Sequence, residues 1–286
     1  MRRFIATLSL MLLSLAVFAQ SEATTKTGVA LQKQHKIVVE ARSSSMQFDE
    51  IKVSRAIRLV VEERTTGNII VRAPQYIMPY VSLKVADGEL QATILPGVTL
   101  SRSSNILAEV YVPNNGRIKD ISTSSAARVV VKPTLVAHKL DLELTGASVI
   151  ELKAQVGELS VEASGASTVK ADVVVASELD MELSGASEVT ISGTSYLTDV
   201  DLSGASTAHL SNLTNSTLKA EASGASTIKA KADRVAIIKV SGASNAEVKC
   251  EGVLTASASG ASEIIYSGAC QVNILSNTGA STISKK

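Results

Sequence analysis

The chain has 286 residues and a formal net charge of +1 at pH 7. Near neutrality without a basic stripe argues against a nucleic-acid-binding protein. Trp is absent and there are only three Phe and five Tyr, so a core must be filled with Val, Ile, Leu and Ala, which suits thin stacked layers.

The first 19 residues are predicted to be a signal peptide. Arg2 and Arg3 form a basic region, residues 4–18 form an apolar stretch, and Val17-Phe18-Ala19 precedes the expected cleavage before Gln20. The apolar run is too short for a membrane span, and no second run follows. Cleavage lowers the 28 basic residues to 26 against 27 acidic ones. We expect an exported protein in the periplasm, on the outer-membrane surface or outside the cell.

Residues 20–46 are expected to form a flexible segment, in which the polar stretch from Ser21 to Lys36 is disordered. Residues 47–120 are predicted to form a β-rich N-terminal cap. Its clearest element is a hairpin with strands at 81–85 and 90–95 around the turn 86–88, and a later strand is stopped by Pro113. These strands should form atypical coils or a small sheet that shields one open end of the repeats.

Residues 121–286 contain eight copies of the tetrapeptide Ser/Thr-Gly-Ala-Ser. Their glycines are separated by 18 to 20 residues, a period typical of a solenoid in which each repeat forms one coil. A degenerate copy at Ser124 to Val129 is interpreted as the first coil. The motif glycines, which form a predicted structural corner ladder, are Gly146, Gly165, Gly185, Gly204, Gly224, Gly242, Gly260 and Gly279.

Each coil is predicted to contain two strands and two corners. Counted from the motif glycine as zero, positions −6, −4 and −2 are mostly apolar, as in Leu140, Leu142 and Leu144, and the positions between them are mostly polar. This alternation predicts a half-buried strand, and an apolar position +4 predicts a second one. The looser second corner is marked in some coils by Gly157, Gly193, Gly252 or Gly268.

The predicted fold is all-β: a right-handed parallel β-helix of ~19-residue coils with an atypical β-rich N-terminal cap. Parallel stacking places glycine over glycine about 4.8 Å apart. The glycines supply a positive φ or a close backbone approach. An antiparallel sandwich of hairpins stays open as the alternative.

The chain resembles a bacterial family named putative auto-transporter adhesin, head-GIN domain. The resemblance is carried by the leader, the F-D-E-I-K-V opening at Phe48 to Val53, the V-x-D-G-x-L hairpin at Val85 to Leu90, the V-Y-V-P strand at Val110 to Pro113 and the S-G-A-S coils. It implies a right-handed parallel β-helix from about residue 48 onward. It implies no catalytic residues.

A column of carboxylates at position −3 is the most informative chemical feature of the repeats. We interpret it as a solvated face, and the alternative is a ladder that binds calcium weakly, since calcium prefers oxygen ligands. No other cofactor is expected. The candidate metal-binding residues are Glu143, Glu162, Glu182, Asp201 and Glu221.

A second column carries the last Ser of each motif, from Ser148 to Ser281. We interpret it as a corner ladder whose hydroxyls bond along the stack. It has no recurrent His or Lys beside it that would activate a nucleophile. The alternative is a hydroxyl-rich surface that contacts a partner.

Cys250 and Cys270 lie about one coil apart in the sequence. Aligning Gly252 with Gly268 places one cysteine before the loose corner and the other after it, so they would not share a column. We favour two small core residues over a disulfide, and the disulfide stays open.

We expect a non-enzymatic cell-envelope protein, an adhesin or scaffold that presents a rigid β-helical surface to an unknown partner such as a glycan or a protein. The alternative is a polysaccharide-binding or polysaccharide-degrading β-helix, for which Asp199 and Asp201 are available acids. Only Tyr196 and Tyr266 could stack on sugars in the repeats. A third option is an apolar ligand near Tyr76, Met78 and Tyr80, although a packing lid explains that segment better.

Overall fold

The computed structural model describes residues 36–42, 47–97 and 106–286. The predicted signal peptide and most of the predicted flexible segment lie outside these residues. The N-terminal strands are β1 (Ile37–Arg42), β2 (Glu50–Val53), β3 (Ile57–Glu62), β4 (Ile69–Pro74), β5 (Val81–Ala86), β6 (Glu89–Ile94), β7 (Ala108–Pro113) and β8 (Asp120–Thr123), with a 3-10 helix at Met78–Tyr80.

The repeats contribute the remaining strands, which occupy almost all of the chain from residue 128 onward. They are β9 (Arg128–Leu144), β10 (Val149–Ala163), β11 (Thr168–Leu183), β12 (Glu188–Leu202), β13 (Thr207–Leu210), β14 (Leu213–Ala222), β15 (Thr227–Ala232), β16 (Val235–Val240), β17 (Asn245–Cys250), β18 (Val253–Ala258), β19 (Glu263–Ser267), β20 (Gln271–Asn277) and β21 (Thr282–Lys285).

These strands stack in parallel as successive coils of a β-solenoid, which confirms the predicted fold class. In each coil one strand ends and the next begins at an SGAS corner, and the register matches the repeat: Leu159 lies between Leu140 and Leu179. Every residue at positions −6, −4 and −2 from the coil of Gly146 to that of Gly260 is buried. The core is therefore a narrow column of aliphatic side chains.

The SGAS corners require glycine for two independent reasons. All eight motif glycines have φ between +71° and +78°, a region that other residues avoid. A Cβ built on Gly204 would lie 2.6 Å from the carbonyl oxygen of Gly185 in the coil below. That carbonyl accepts a 2.7 Å hydrogen bond from the N–H of Ala205, so the backbones of neighbouring corners are in direct contact.

The stack begins earlier than the predicted first coil at Ser124 to Val129, and it begins out of chain order. β2 pairs in parallel with both β6 and β8, and β3 pairs in parallel with both β7 and β9. The coil formed by β2 and β3 therefore lies between two other coils. One of these is formed by β6 and β7, and the other is formed by β8 and β9. Two parallel coils precede the predicted first one, so the parallel stack already includes much of the segment assigned to a cap.

The N-terminal end of the stack is covered by antiparallel strands. β5 pairs with β6 in the predicted hairpin, β4 pairs with β7, and β1 pairs with β4. At the opposite end, β20 pairs with β18 and β21 pairs with β19. Within the described residues no further strand pairs with the outer edges of β20 and β21.

The loose corners differ from coil to coil, and the glycines that mark them do not share one column. A Cβ on Gly252 would meet the carbonyl oxygen of Arg234 at 2.1 Å, whereas one on Gly268 would meet that of Cys250 at 2.2 Å. Gly268 therefore stacks on Cys250, and the predicted alignment of Gly252 with Gly268 is wrong.

Candidate functional site

The five candidate carboxylates form one continuous outward column, as predicted. Parallel pairing places Glu143 beside Glu162, Glu162 beside Glu182, Glu182 beside Asp201 and Asp201 beside Glu221. The strands hold them about 4.8 Å apart because each occupies the same position in its coil. We call this column the acidic ladder.

Uncharged and basic residues continue the column beyond both ends of the acidic ladder. Ser122 pairs with Glu143 at one end, and Lys239 pairs with Glu221 at the other. The Lys239 Nζ lies 2.8 Å from Glu221 Oε1 and neutralises that end. The excess negative charge is therefore confined to the middle coils.

The acidic ladder forms one wall of a long groove with a volume of about 760 Å³. The groove follows positions −3 to −1 of successive coils, from the coil of Glu143 to that of Ser276. The lining residues at position −1 have small side chains, because the first residue of each motif is Ser or Thr. We call this feature the acidic groove. Its polar hydroxyls are Thr145, Ser164, Ser184, Ser203, Ser223, Ser241 and Ser259.

Neighbouring charges and burial shift the acidity of the acidic ladder in opposite directions along its length. Burial raises the pKa of Asp201, and the nearby carboxylates of Asp199 and Glu221 raise it further. The hydrogen bond from Lys239 lowers the pKa of Glu221. Repulsion between the carboxylates is thus relieved at Glu221 by Lys239 and remains at Asp201.

Further acids lie beside the acidic ladder on the same face, at position −5, where Ser160 separates them into two pairs. Asp120 pairs with Asp141, and Asp180 pairs with Asp199. The Lys219 Nζ approaches Asp199 Oδ2 at 2.8 Å. This ion pair occupies Asp199, one of the two acids considered for acid–base chemistry.

No group of three or more His, Cys, Asp or Glu side chains converges to hold a metal ion within the parts of the chain that the structure describes. The acidic ladder brings its carboxylates together only as successive neighbours along a line. Weak calcium binding by the ladder stays a prediction.

The last Ser of the motif does not form a surface in the first seven copies. Ser148, Ser167, Ser187, Ser206, Ser226, Ser244 and Ser262 are at most 2% exposed. The Ser206 hydroxyl donates a 2.7 Å hydrogen bond to the carbonyl of Ser203 within its own corner and makes a longer contact of 3.3 Å to Leu183 in the coil below. The column is a buried corner ladder, as predicted, but its shortest hydrogen bonds lie within a corner and longer contacts run along the stack. The alternative of a hydroxyl surface built from these residues is wrong.

The hydroxyls that do face outward belong to the first residue of each motif, which sequence reasoning missed as a site. Their signal was available: position −1 alternates with the buried position −2, so it must point away from the core. These small side chains create the acidic groove because they stand beside longer carboxylates at position −3.

The remaining candidate residues do not meet in one place. Tyr196 is 60% exposed at a loose corner. Met78 is buried under the N-terminal strands, between the exposed Tyr76 and Tyr80, as expected of a packing lid. Among the residues that the structure describes, no aromatic side chain lines the acidic groove.

The opposite face of the coils is shallower and carries more basic residues. A depression of about 400 Å³ is lined by Lys132, Lys153 and Lys170 together with Glu151 and Asp172. The two faces therefore differ in charge, with excess negative charge on the side of the acidic groove.

The stacked coils and the strands that cover them are shared with a known family. The chain matches the family described as "Putative auto-transporter adhesin, head GIN domain" over residues 47–173 and 167–250. The chain belongs to this family. The two matched segments span the interleaved N-terminal coils and most of the SGAS coils, so the head GIN domain family includes both parts of the stack. No curated protein matches the chain.

Solved structures share the fold at low sequence identity. A putative lipid binding protein from Parabacteroides distasonis is 14% identical with a TM-score of 0.67, and the match covers 88% of this chain and 97% of that one. A putative adhesin from Parabacteroides merdae is 17% identical with a TM-score of 0.63, covering 88% and 96%. Another putative adhesin from Parabacteroides distasonis is 20% identical with a TM-score of 0.67, covering 89% and 98%.

No helix in the described part of the chain has the length and apolar character needed to cross a membrane.

Proposed function

We propose that this protein is a non-enzymatic, exported adhesin or scaffold of the cell envelope that contacts its partner along the acidic groove. One observation carries the proposal: the same carboxylate and the same small hydroxyl recur in register along a continuous groove of about 760 Å³. A partner with its own repeating groups could make the same contact at successive coils. Membership of the head GIN domain family supports the same role.

Multivalent contact is the mechanism that suits such a groove. An exposed ion pair contributes about 1 kcal/mol or less, so a single carboxylate binds little. Contacts that are fixed relative to one another by a rigid sheet add up, because each after the first is intramolecular. Binding should therefore depend steeply on ionic strength, since exposed charges are screened.

The regular spacing of the acids supports a non-enzymatic role. General acid–base catalysis needs two groups with different environments that converge on one bond. The acidic ladder instead spaces its carboxylates along a line rather than around one bond, and Lys219 pairs with the adjacent Asp199. The alternative, a polysaccharide-binding or polysaccharide-degrading solenoid, would be favoured by aromatic rings along the groove, but none of the described residues places one there.

The proposal is tested with two variants matched in charge. The first neutralises the acidic ladder through Glu143→Gln, Glu162→Gln, Glu182→Gln, Asp201→Asn and Glu221→Gln. The control neutralises five acids on the opposite face through Glu151→Gln, Asp172→Asn, Glu188→Gln, Glu247→Gln and Glu263→Gln. Both must retain the circular dichroism spectrum of the unmodified protein.

Adhesion of protein-coated beads to intact bacterial cells and to a glycan array is then measured at several salt concentrations. We expect the ladder variant to lose at least ~10-fold in binding and the control to bind like the unmodified protein. Equal binding by both variants would refute a role for the acidic groove. Protease shaving of intact producing cells tests the location, and full protection in the periplasm would count against adhesion. Release of reducing sugars from polysaccharides would instead support the enzymatic alternative.

A further inference from the structure

Cys250 and Cys270 occupy the same loose corner in adjacent coils. Counted from the motif glycines, Cys250 and Gly268 are both at position +8, and Gly252 and Cys270 are both at position +10. Gly268 stacks on Cys250, and Gln271 donates a 2.8 Å hydrogen bond to the carbonyl of Gly252. Each cysteine therefore has a glycine, rather than a side chain, as its neighbour in the adjacent coil.

This arrangement places the two cysteines diagonally across one corner. They lie one coil apart along the stack, and their positions within the coil, +8 and +10, differ by two. Cys250 is fully buried, and Cys270 is partly buried and packs against the core. The two glycines remove the side chains that would otherwise separate the thiols.

The acidity of the Cys250 thiol reflects both its burial and the nearby Cys270. Burial raises the pKa of the Cys250 thiol, and the adjacent Cys270 thiol raises it further. This effect agrees with the position of both cysteines at the same corner. Both cysteines are reduced in the structure.

We propose that Cys250 and Cys270 are a disulfide site that links the last coil to the coil before it. The oxidant is a disulfide, either of a small thiol such as glutathione or of a protein in an oxidising compartment. The Cys270 thiolate, which is partly accessible, attacks the oxidant, forms a mixed disulfide and releases one thiolate. The Cys250 thiolate then attacks the Cys270 sulfur and releases the second thiolate. The two protons that the cysteines lose are taken up by the two released thiolates, so the oxidant ends as two thiols.

A bond at this corner would strengthen the end of the stack where the described residues provide no covering strand. β20 and β21 form the outermost coil among them, and each pairs with only one neighbour there. The bond closes a loop of about one coil, which restricts the unfolded chain and stabilises the folded one. The disulfide has no role in the proposed adhesion, so the result of either test does not affect the other proposal.

Mass spectrometry tests the proposal directly on the purified chain equilibrated with reduced and oxidised glutathione. We expect the oxidised monomer to lose the mass of two hydrogen atoms. Cleavage after Glu247, Glu251 and Glu263 separates residues 248–251 from residues 264–286, and these fragments should be recovered as one species until a reductant is added. A dithiol at equilibrium with excess oxidised glutathione, a persistent mixed disulfide at Cys270 or a covalent dimer would each overturn the proposal.

Thermal unfolding provides a second measurement that avoids the fully buried Cys250. Oxidation should raise the midpoint of the unmodified protein by about 5 °C or more. The variant Cys270→Ser should melt at the same temperature with and without the oxidant, close to the reduced unmodified protein. An equal rise in the variant would show that the oxidant acts elsewhere and would contradict the proposal.

Discussion

At the scale of single residues, the motif glycine is fixed by the backbone rather than by any chemistry of its own. Its positive φ and the carbonyl directly below it are separate constraints, and either one disfavours a side chain. Gly116 satisfies only the first, because it has φ +70° and no described atom within 4 Å of the place where a Cβ would lie. The two sites therefore allow strain and steric contact to be separated.

We predict that Gly204→Ala lowers the free energy of unfolding by at least ~3 kcal/mol, because left-handed strain adds to a clash with the Gly185 carbonyl. Gly116→Ala should lower it by only ~1 to 2 kcal/mol, the strain alone. Urea denaturation followed by circular dichroism measures both. Equal losses at the two positions would mean that close stacking contributes nothing.

At the scale of the strand columns, the acidic ladder is a source of repulsion as well as a binding surface. Asp201 has a folded pKa above its ordinary value of 3.8, so folding favours its protonated form. Its ionisation therefore destabilises the fold at neutral pH, and this penalty disappears as the pH falls below that ordinary value. Glu221 behaves in the opposite way, because its pKa is lowered by Lys239 and its ionised form supports the fold.

We predict that Asp201→Asn raises the free energy of unfolding by up to ~0.5 kcal/mol at pH 7, as expected for removal of one like-charge neighbour in a sheet. The gain should vanish near pH 3, where the carboxyl of the unmodified protein is protonated. Glu221→Gln is the matched control, and it should give no gain because it removes the partner of Lys239. Thermal melts across the pH range measure both variants, and a gain that persists at pH 3 would contradict the electrostatic explanation.

Calcium provides a second prediction for the same column. If neighbouring carboxylates share the ion, the melting midpoint should rise in ~5 mM calcium relative to chelator, a concentration that saturates weak extracellular-type sites. The variant with a neutralised acidic ladder should show no such rise. Identical midpoints for the unmodified protein in calcium and in chelator would eliminate the metal hypothesis.

At the scale of the whole molecule, the coils are interchangeable units joined at equivalent corners. Deleting residues 186–204 removes one coil and joins Gly185 to Ala205, so that the next corner stacks where the removed one stood. We predict a folded protein with the same circular dichroism shape per residue. A deletion of residues 186–195 should unfold the adjoining coils, because it shifts inward side chains out of register. Equal folding of both deletions would contradict the modular stack.

The repeats could be predicted from the sequence because each position recurs with the same burial. Leu140, Leu159 and Leu179 are all at position −6 from their motif glycines, which predicts that they stack. The acidic ladder is predicted in the same way from position −3. The predicted alignment of Gly252 with Gly268 fails because the two glycines occupy different positions, +10 and +8, after their motif glycines. Counting each residue from its own motif glycine gives the correct stacking. The outward serines were overlooked because the motif was interpreted as a structural unit.

The N-terminal coils could not be predicted because nothing local specifies their order. β2 finds one partner in β6, about 40 residues later, and another in β8, about 70 residues later. Those pairings depend on tertiary packing, which overrides the expectation that consecutive strands are neighbours. Among these strands, only the pairing of β5 with β6 could be predicted from a local signal, which is their two-residue turn.

The insertion of β2 and β3 between later strands has a consequence for how the chain reaches its native state. This pair gains its second ladder only when residues 120–131 pair with it, so we predict that the slow step of folding is a long-range closure in the first half of the chain. Once formed, that nucleus presents a finished edge on which every later repeat can add by short-range zipping. The head of the molecule therefore acts as a template that sets the register for the tail.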